Sequence, residues 1–230
     1  MAHGFGACFS PILSAWERNL HDPAPLVIDV GCGSGIWGSI IKGFWPNAGV
    51  HGIEGLRSRN DPMPGCKTGP LDGAYDLVYY DQIQARFPTL ATERNEPPTY
   101  DVGLCLDVIE HLPTEDGHNL LELMPRVALH WFVCTPAVLF CADAEGYDRH
   151  VSLWTEEDFL FRGFKLFKPR AITLGGVTGG REWEDFGWPM ILAYRGPWDL
   201  ANVSDYRITS YAQASHSAAH NAGGPHDEAV

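Results

Sequence analysis

Positive charge is scarce in this chain. Its 230 residues carry 16 Lys and Arg against 29 Asp and Glu, a formal net charge of −13. A protein that grips a phosphate backbone needs the opposite balance. The densest basic stretch, residues 162–170, holds only Arg162, Lys165, Lys168 and Arg170, so no nucleic-acid partner is expected. Long apolar runs are missing as well. None reaches the roughly 20 residues that a membrane-spanning helix needs, so no membrane partner is expected. Met1 to Cys8 lack a basic start and a sustained apolar stretch, which argues against a secretory leader. Cysteine occurs six times without any C-x-x-C pair, which removes the commonest zinc and dithiol signatures. A reducing, cytoplasmic setting is expected. There are no internal repeats. What remains, 45% hydrophobic and 20% charged residues, is an ordinary globular composition, long enough for one α/β domain with a sizeable core.

Within that background, residues 26–35 (LVIDVGCGSG) stand out. An apolar, β-branched run takes in an acid, Asp29, and then meets glycine at every second position: Gly31, Gly33 and Gly35. A strand that must stop, turn and feed a helix needs this sequence. Glycines tolerate positive φ and leave no Cβ between the backbone and a ligand. Glu54 follows Gly35 by 19 residues, at the end of a second apolar run, where an acid that bonds a ribose belongs. Gly33, Gly35 and Gly38 also satisfy the G-x-G-x-x-G pattern of dinucleotide sites, so the glycines alone leave a nicotinamide or flavin cofactor open. Asp29 favours another ligand. An acid beside the first glycine suits the ammonium of an amino-acid moiety better than a pyrophosphate, and S-adenosylmethionine carries such an ammonium and no phosphate.

With these residues the chain resembles the class I S-adenosylmethionine-dependent methyltransferases. Their first motif is similar to residues 27–35, their second ends in an acid like Glu54, and a later one resembles residues 100–113 (YDVGLCLDVIEHLP). The resemblance covers roughly residues 26–196 and specifies no acceptor. It implies an α/β fold: a single Rossmann-like, seven-stranded, mostly parallel sheet with an antiparallel terminal strand and helices on both faces. It also implies S-adenosylmethionine as cofactor, released as S-adenosylhomocysteine. Pro97-Pro98-Thr99-Tyr100 superficially matches the [DNS]-P-P-[YFW] motif of DNA amino-methyltransferases. Glu96 in front, the inserted Thr99 and the position before the fourth strand all disqualify it.

Along the chain, residues 1–25 read as a capping segment with a short helix around Ile12, Leu13 and Trp16. Residues 26–200 form the methyltransferase-like domain, and residues 211–230, without periodicity, a disordered tail. Strands are expected at 26–30, 49–53, 75–81, 101–106, 131–135, 164–173 and 189–194. Helices are expected at 34–44, with Ile36, Ile40 and Phe44 on one face, from Thr114 with a kink or early end at Pro125, and at 155–161 from a capping-box start.

The candidate cofactor-binding residues are Asp29, Gly31, Cys32, Gly33, Gly35, Trp37, Glu54, Asp81, Gln82 and Asp107. By resemblance, Asp81 takes the adenine amino group, with Gln82 and Ile83 beside the ring. Trp37 or Tyr80 is the aromatic expected near the sulfonium. Asp107, His111 and His150 are the catalytic candidates. Each histidine serves either as a general base for the acceptor or as a structural hydrogen-bonding group. Trp154, Trp183, Phe186 and Trp188 are expected to wall an acceptor pocket. Glu110, His111 and His150 are a conceivable metal set, but their spacing does not line up three ligands, so no metal is expected. The activity expected is methyl transfer to an O or N of a small-molecule acceptor. A protein or peptide acceptor, or an inactive cofactor-binding partner protein, are the alternatives.

Overall fold

Leu26–Val30 is apolar except at Asp29 and buried at every position but the first. A strand with no polar face must sit in the middle of a sheet covered on both sides. It does: this strand, β1, pairs in parallel with β2 (Gly49–Glu54) on one side and β4 (Tyr100–Leu106) on the other. The computed structural model describes residues 5–55, 73–93, 98–139, 149–169, 173–174, 177–178, 190–200 and 206–209.

The remaining strands are β3 (Leu77–Tyr80), β5 (Ala128–Pro136), β6 (Lys165–Pro169), β7 (Thr173–Leu174), β8 (Val177–Thr178), β9 (Met190–Arg195) and β10 (Tyr206–Thr209). The main sheet runs β10-β6-β9-β5-β4-β1-β2-β3, and β7 and β8 form a separate two-stranded ribbon. Strands β1 to β5 are mutually parallel, whereas β9 runs antiparallel to both β5 and β6. This is the expected mostly parallel sheet with an antiparallel terminal strand. An eighth strand, β10, extends it along β6 in antiparallel register.

The helices are α1 (Phe5–Asn19), α2 (Ile36–Phe44), α3 (Ile83–Glu93), α4 (Thr114–Val127) and α5 (Glu156–Leu160). Two cores show that they cover both faces. Val27, Val102 and Leu104 pack with Ile12 and Trp16 of α1 and Trp37 and Ile41 of α2. Ile28, Val30 and Cys105, from the alternate strand positions, pack with Phe87 of α3, Leu120 of α4 and Phe159 of α5. Cys32, Cys105 and Cys134 are buried free thiols, so they act as small apolar residues.

Several sequence expectations shift. Helix α1 has 15 residues, longer than the short helix read from three apolar positions. Helix α2 starts two residues later than expected because Gly35, at φ 82°, is still in the left-handed region. Its buried face is Trp37, Gly38 and Ile41, while Ile36 and Phe44 are exposed. Helix α3 was not foreseen, although Ile83, Phe87, Leu90 and Ala91 have helical spacing and are all buried. Helix α4 accommodates Pro125 in its last turn and ends at Val127. The expected strand over 164–173 is divided into β6 and β7. Thr155 and Asp158 form the anticipated capping box. The tail and three of the proposed pocket aromatics, Trp183, Phe186 and Trp188, lie outside the described residues.

Candidate active site

Because β1 to β5 are parallel, their carboxyl ends share one edge, the place where ligands bind in open α/β sheets. The glycine turn, Glu54, Asp81, Asp107 and Thr135 all arrive there at or near strand ends. The turn is built as its sequence demands. Gly31, Gly33 and Gly35 have φ of 73°, 52° and 82°, values that side chains with a Cβ rarely adopt. A Cβ on Gly31 would also stand 2.3 Å from a Val108 methyl. The Gly31 and Cys32 N–H groups donate to the Ile53 carbonyl at 2.7 and 3.1 Å. The Gly33 N–H donates to Glu54 Oε2 at 2.6 Å. The acid at the end of β2 thus fixes the turn at the end of β1.

Asp29 lies beneath that turn, 2% exposed. It accepts a 2.5 Å hydrogen bond from the Tyr75 hydroxyl, which itself accepts from the Gly38 N–H at 3.1 Å. Burial pushes the Asp29 carboxyl up to about 7, against the pull of the Tyr75 hydrogen bond and with a further push from Glu54. Burial likewise drives the Cys32 thiol well above its usual range, so Cys32 carries no thiolate at neutral pH. Trp37 is buried in the core beneath the turn, and of the two aromatics expected near a sulfonium only Tyr80 is exposed. Asp81 accepts from the Gln82 N–H at 2.8 Å, just ahead of α3. Ile83 packs in the core at the start of α3. Tyr75 was read only as the start of a strand, and its part here was missed. No sequence signal places a tyrosine over an acid 46 positions away.

Across the edge, Asp107 ends β4 with φ 55°, the single non-glycine residue at positive φ among the described residues. Non-glycine residues held in the left-handed region cluster at functional sites. The next turn brings Glu110, His111 and His150 together. Glu110 is 1% exposed, and Oε2 accepts from Thr135 Oγ1 at 3.0 Å. Oε1 is buried without a hydrogen-bond partner. Burial first, then the neighbouring Asp107, push this carboxyl up to about 8. His111 Nδ1 lies 3.0 Å from the Arg149 carbonyl oxygen. A carbonyl can only accept, so Nδ1 carries the proton and Nε2 is the accepting nitrogen of the neutral ring. The rings of His111 and His150 stand perpendicular, 4.7 Å apart. Burial and then His111 push His150 below its ordinary value, which favours the neutral imidazole that a base or a ligand must be.

The loop bearing His150 is tied to the same turn. The Val151 and Ser152 N–H groups donate to the Glu110 carbonyl at 2.8 and 3.1 Å, and Ser152 Oγ donates to the Ile109 carbonyl at 3.2 Å. Trp154, expected in the acceptor wall, is instead a core residue, 1% exposed. Its indole N–H donates to Ser152 Oγ at 2.9 Å, and a Cβ on Gly117 would meet its ring at 2.3 Å. One ligand atom from each of Glu110, His111 and His150 falls within 4.8 Å of the others. Two imidazoles and a carboxylate at that separation suit a first-row divalent cation, a juxtaposition that the linear spacing concealed.

The strand order, the glycine turn and the acid at the end of β2 define the class I methyltransferase fold. No known family profile matches the chain. Among curated proteins it is similar to the ubiquinone biosynthesis O-methyltransferase of Paraburkholderia xenovorans, 29% identical over 105 residues, 45% of this chain and 41% of that protein. The enzyme of the same name from Burkholderia vietnamiensis is 26% identical over 109 residues, 47% of this chain and 43% of that one. The chain thus spans about two fifths of the length of these relatives. Among solved structures it is similar to the N-terminal domain of EvdMO1 (TM-score 0.50, 15% identity, 83% of this chain and 84% of that one). The plantazolicin methyltransferase BpumL is another neighbour (TM-score 0.50, 16% identity, 84% of each chain). These likenesses show that the chain has the class I methyltransferase fold. Among the described residues, no helix is long and apolar enough to cross a membrane.

Proposed function

We propose that this protein transfers the methyl group of S-adenosylmethionine to an oxygen of a small-molecule acceptor. The observation that carries the reading is the turn itself: three left-handed glycines whose central N–H is held by Glu54 at 2.6 Å. In this reading the ribose hydroxyls bond Glu54. The adenine lies near Asp81 and Gln82, and the methionine end lies over the turn and toward Asp107. Asp29 acts on the cofactor's positive charges from below. The curated relatives, both named O-methyltransferases, favour oxygen over nitrogen as the acceptor atom. The net charge of −13 argues against a nucleic-acid acceptor.

The sulfonium is already an activated leaving group, so the protein's main task is to hold acceptor oxygen, methyl and sulfur in line. A hydroxyl acceptor must also lose its proton. His150, neutral and next to His111, is the group proposed to take it, with His111 oriented by the Arg149 carbonyl. The test is direct: methyl-labelled S-adenosylmethionine offered to phenol, carboxylate, amine, peptide and RNA acceptors. Label entering only peptide or RNA would move the protein to another acceptor class.

A specific observation favours a second reading of the same turn. Glu110, His111 and His150 offer three ligand atoms within 4.8 Å, and Glu110 keeps one buried oxygen without a hydrogen bond. These residues would hold a divalent cation, which as a Lewis acid lowers the pKa of a coordinated hydroxyl. His150 would then be a ligand and not a base. Metal analysis of the purified protein, with thermal unfolding before and after chelation, separates the two readings.

A further inference from the structure

Tyr75 is the buried group at this site that the mechanism leaves without a task. It arrives just before β3, and the neighbouring Asp76 fixes the segment: its N–H donates to the Val50 carbonyl at 2.7 Å, and its carboxylate accepts from the Val50 N–H and from Lys42 of α2, each at 2.7 Å. So anchored, the Tyr75 ring slides under the start of α2. A Cβ on Gly38 would stand 2.4 Å from that ring, and one on Gly52 would meet it at 3.2 Å. Neither the helix nor the strand can carry a larger residue there without moving the tyrosine.

We propose that Tyr75 is a positioning residue for the cofactor: its hydroxyl ties the Asp29 carboxylate of β1 to the Gly38 N–H of α2 and holds that carboxylate under the glycine turn, ready to act on the cofactor's cationic methionine end. This rests on the S-adenosylmethionine reading given above. The geometry assigns the hydroxyl two bonds at once, 2.5 Å to Asp29 as donor and 3.1 Å from Gly38 as acceptor. It therefore clamps the two elements that flank the turn. A carboxylate acts strongly on a cation across a water-poor site, but only while it is charged. The groups that face Asp29 are Glu54 from β2, Cys32 from the turn, Cys105 from β4 and Tyr75 itself. Glu54 works against its charge, burial works against it most, and the Tyr75 hydrogen bond is the contact that supports it.

Calorimetric affinity for S-adenosylmethionine and for methylthioadenosine, between pH 6 and 9, tests this in wild type, Y75F and D29N. Methylthioadenosine keeps the nucleoside but lacks both the ammonium and the sulfonium. Wild type should bind S-adenosylmethionine more tightly as pH rises through about 7, where Asp29 ionises. Y75F keeps the ring and loses the hydroxyl. It should bind S-adenosylmethionine on the order of ten-fold more weakly at neutral pH, recover part of that loss at high pH, and bind methylthioadenosine as wild type does. D29N should lack the tightening near pH 7 that wild type shows; the ligand's own ammonium and Glu110, pushed up to about 8, titrate alike in both proteins, so the difference between wild type and D29N keeps the question open to test should Y75F fail to fold. Equal losses for both ligands at every pH would reduce Tyr75 to a packing residue and overturn the proposal, as would an unchanged Y75F or a D29N that tightens through pH 7 as wild type does. Wild type that does not bind S-adenosylmethionine at all would overturn the cofactor reading itself, a result separate from any of these.

Discussion

Replacing Gly31 by alanine makes two demands on the turn at once. The residue sits at φ 73°, where an L side chain costs roughly 1–2 kcal/mol. Its new Cβ would also lie 2.3 Å from Val108 Cγ2 and 3.1 Å from Val108 Cγ1. Val108 is 6% exposed and packed in the core, so it has little room to retreat. Overpacking of this kind costs about 1–3 kcal/mol. The sum is a destabilisation of about 2–5 kcal/mol, read as a lower urea midpoint at unchanged slope. Val108→Ala separates the two terms. It removes both Cγ atoms, so in the G31A background it should restore the packing part and leave the conformational part. The two substitutions should therefore couple favourably in a double-mutant cycle. Cofactor affinity should fall with the single change, because the Gly31 N–H that donates to the Ile53 carbonyl at 2.7 Å anchors the turn. G31A with wild-type stability and affinity, or no coupling to Val108, would refute the argument.

Three further outcomes follow from the same geometry. Glu54→Ala should weaken S-adenosylmethionine binding by about 1–3 kcal/mol, since it removes the ribose acceptor and the anchor of the Gly33 N–H; calorimetry checks this, and equal affinity would remove Glu54 from the site. His150→Ala should lower turnover roughly 10²–10⁴-fold with cofactor affinity nearly intact; near-wild-type steady-state rates with an unchanged pH profile would show that alignment alone drives the transfer. Asp29, held at about 7 against an ordinary 3.8, keeps its proton in the folded chain while the unfolded chain loses it. The stability it contributes is fully present below about pH 4 and is lost as pH rises toward 7. Asp29→Asn should accordingly flatten the stability–pH curve in that window, and parallel curves for the two proteins would contradict the assignment.

How legible the molecule was in its sequence depended on whether a feature is local. The glycine turn was legible because positive φ and close approach each demand glycine, and three glycines at alternate positions after an apolar run mark such a turn. Strand β1 was legible because Leu26–Val30 shows no polar face to water. Helix α3 carried a readable pattern at Ile83, Phe87, Leu90 and Ala91, but Pro88 within it masked the pattern. The buried face of α2 was misjudged because Ile36 and Phe44 look more apolar than Gly38. Gly38 faces inward because Tyr75 fills the space against it. Tyr75 with Asp29, and Thr135 with Glu110, meet only through the fold. So do His111 and His150, 39 positions apart in sequence and 4.7 Å between ring centroids. Trp154 shows the converse error: a tryptophan in a loop near a site suggests a ligand wall, yet its hydrogen bond to Ser152 and its seat over Gly117 make it a structural pin.

The central claim is that the turn at Gly31, Gly33 and Gly35, with Glu54, holds S-adenosylmethionine. Titration calorimetry of the wild-type chain with S-adenosylmethionine, S-adenosylhomocysteine and NADH tests it most directly. The expected result is one site per chain for each of the first two ligands, both weakened by Glu54→Ala, and no measurable heat of binding with NADH. Saturable NADH binding that Glu54→Ala abolishes, or no binding of S-adenosylmethionine, would contradict it.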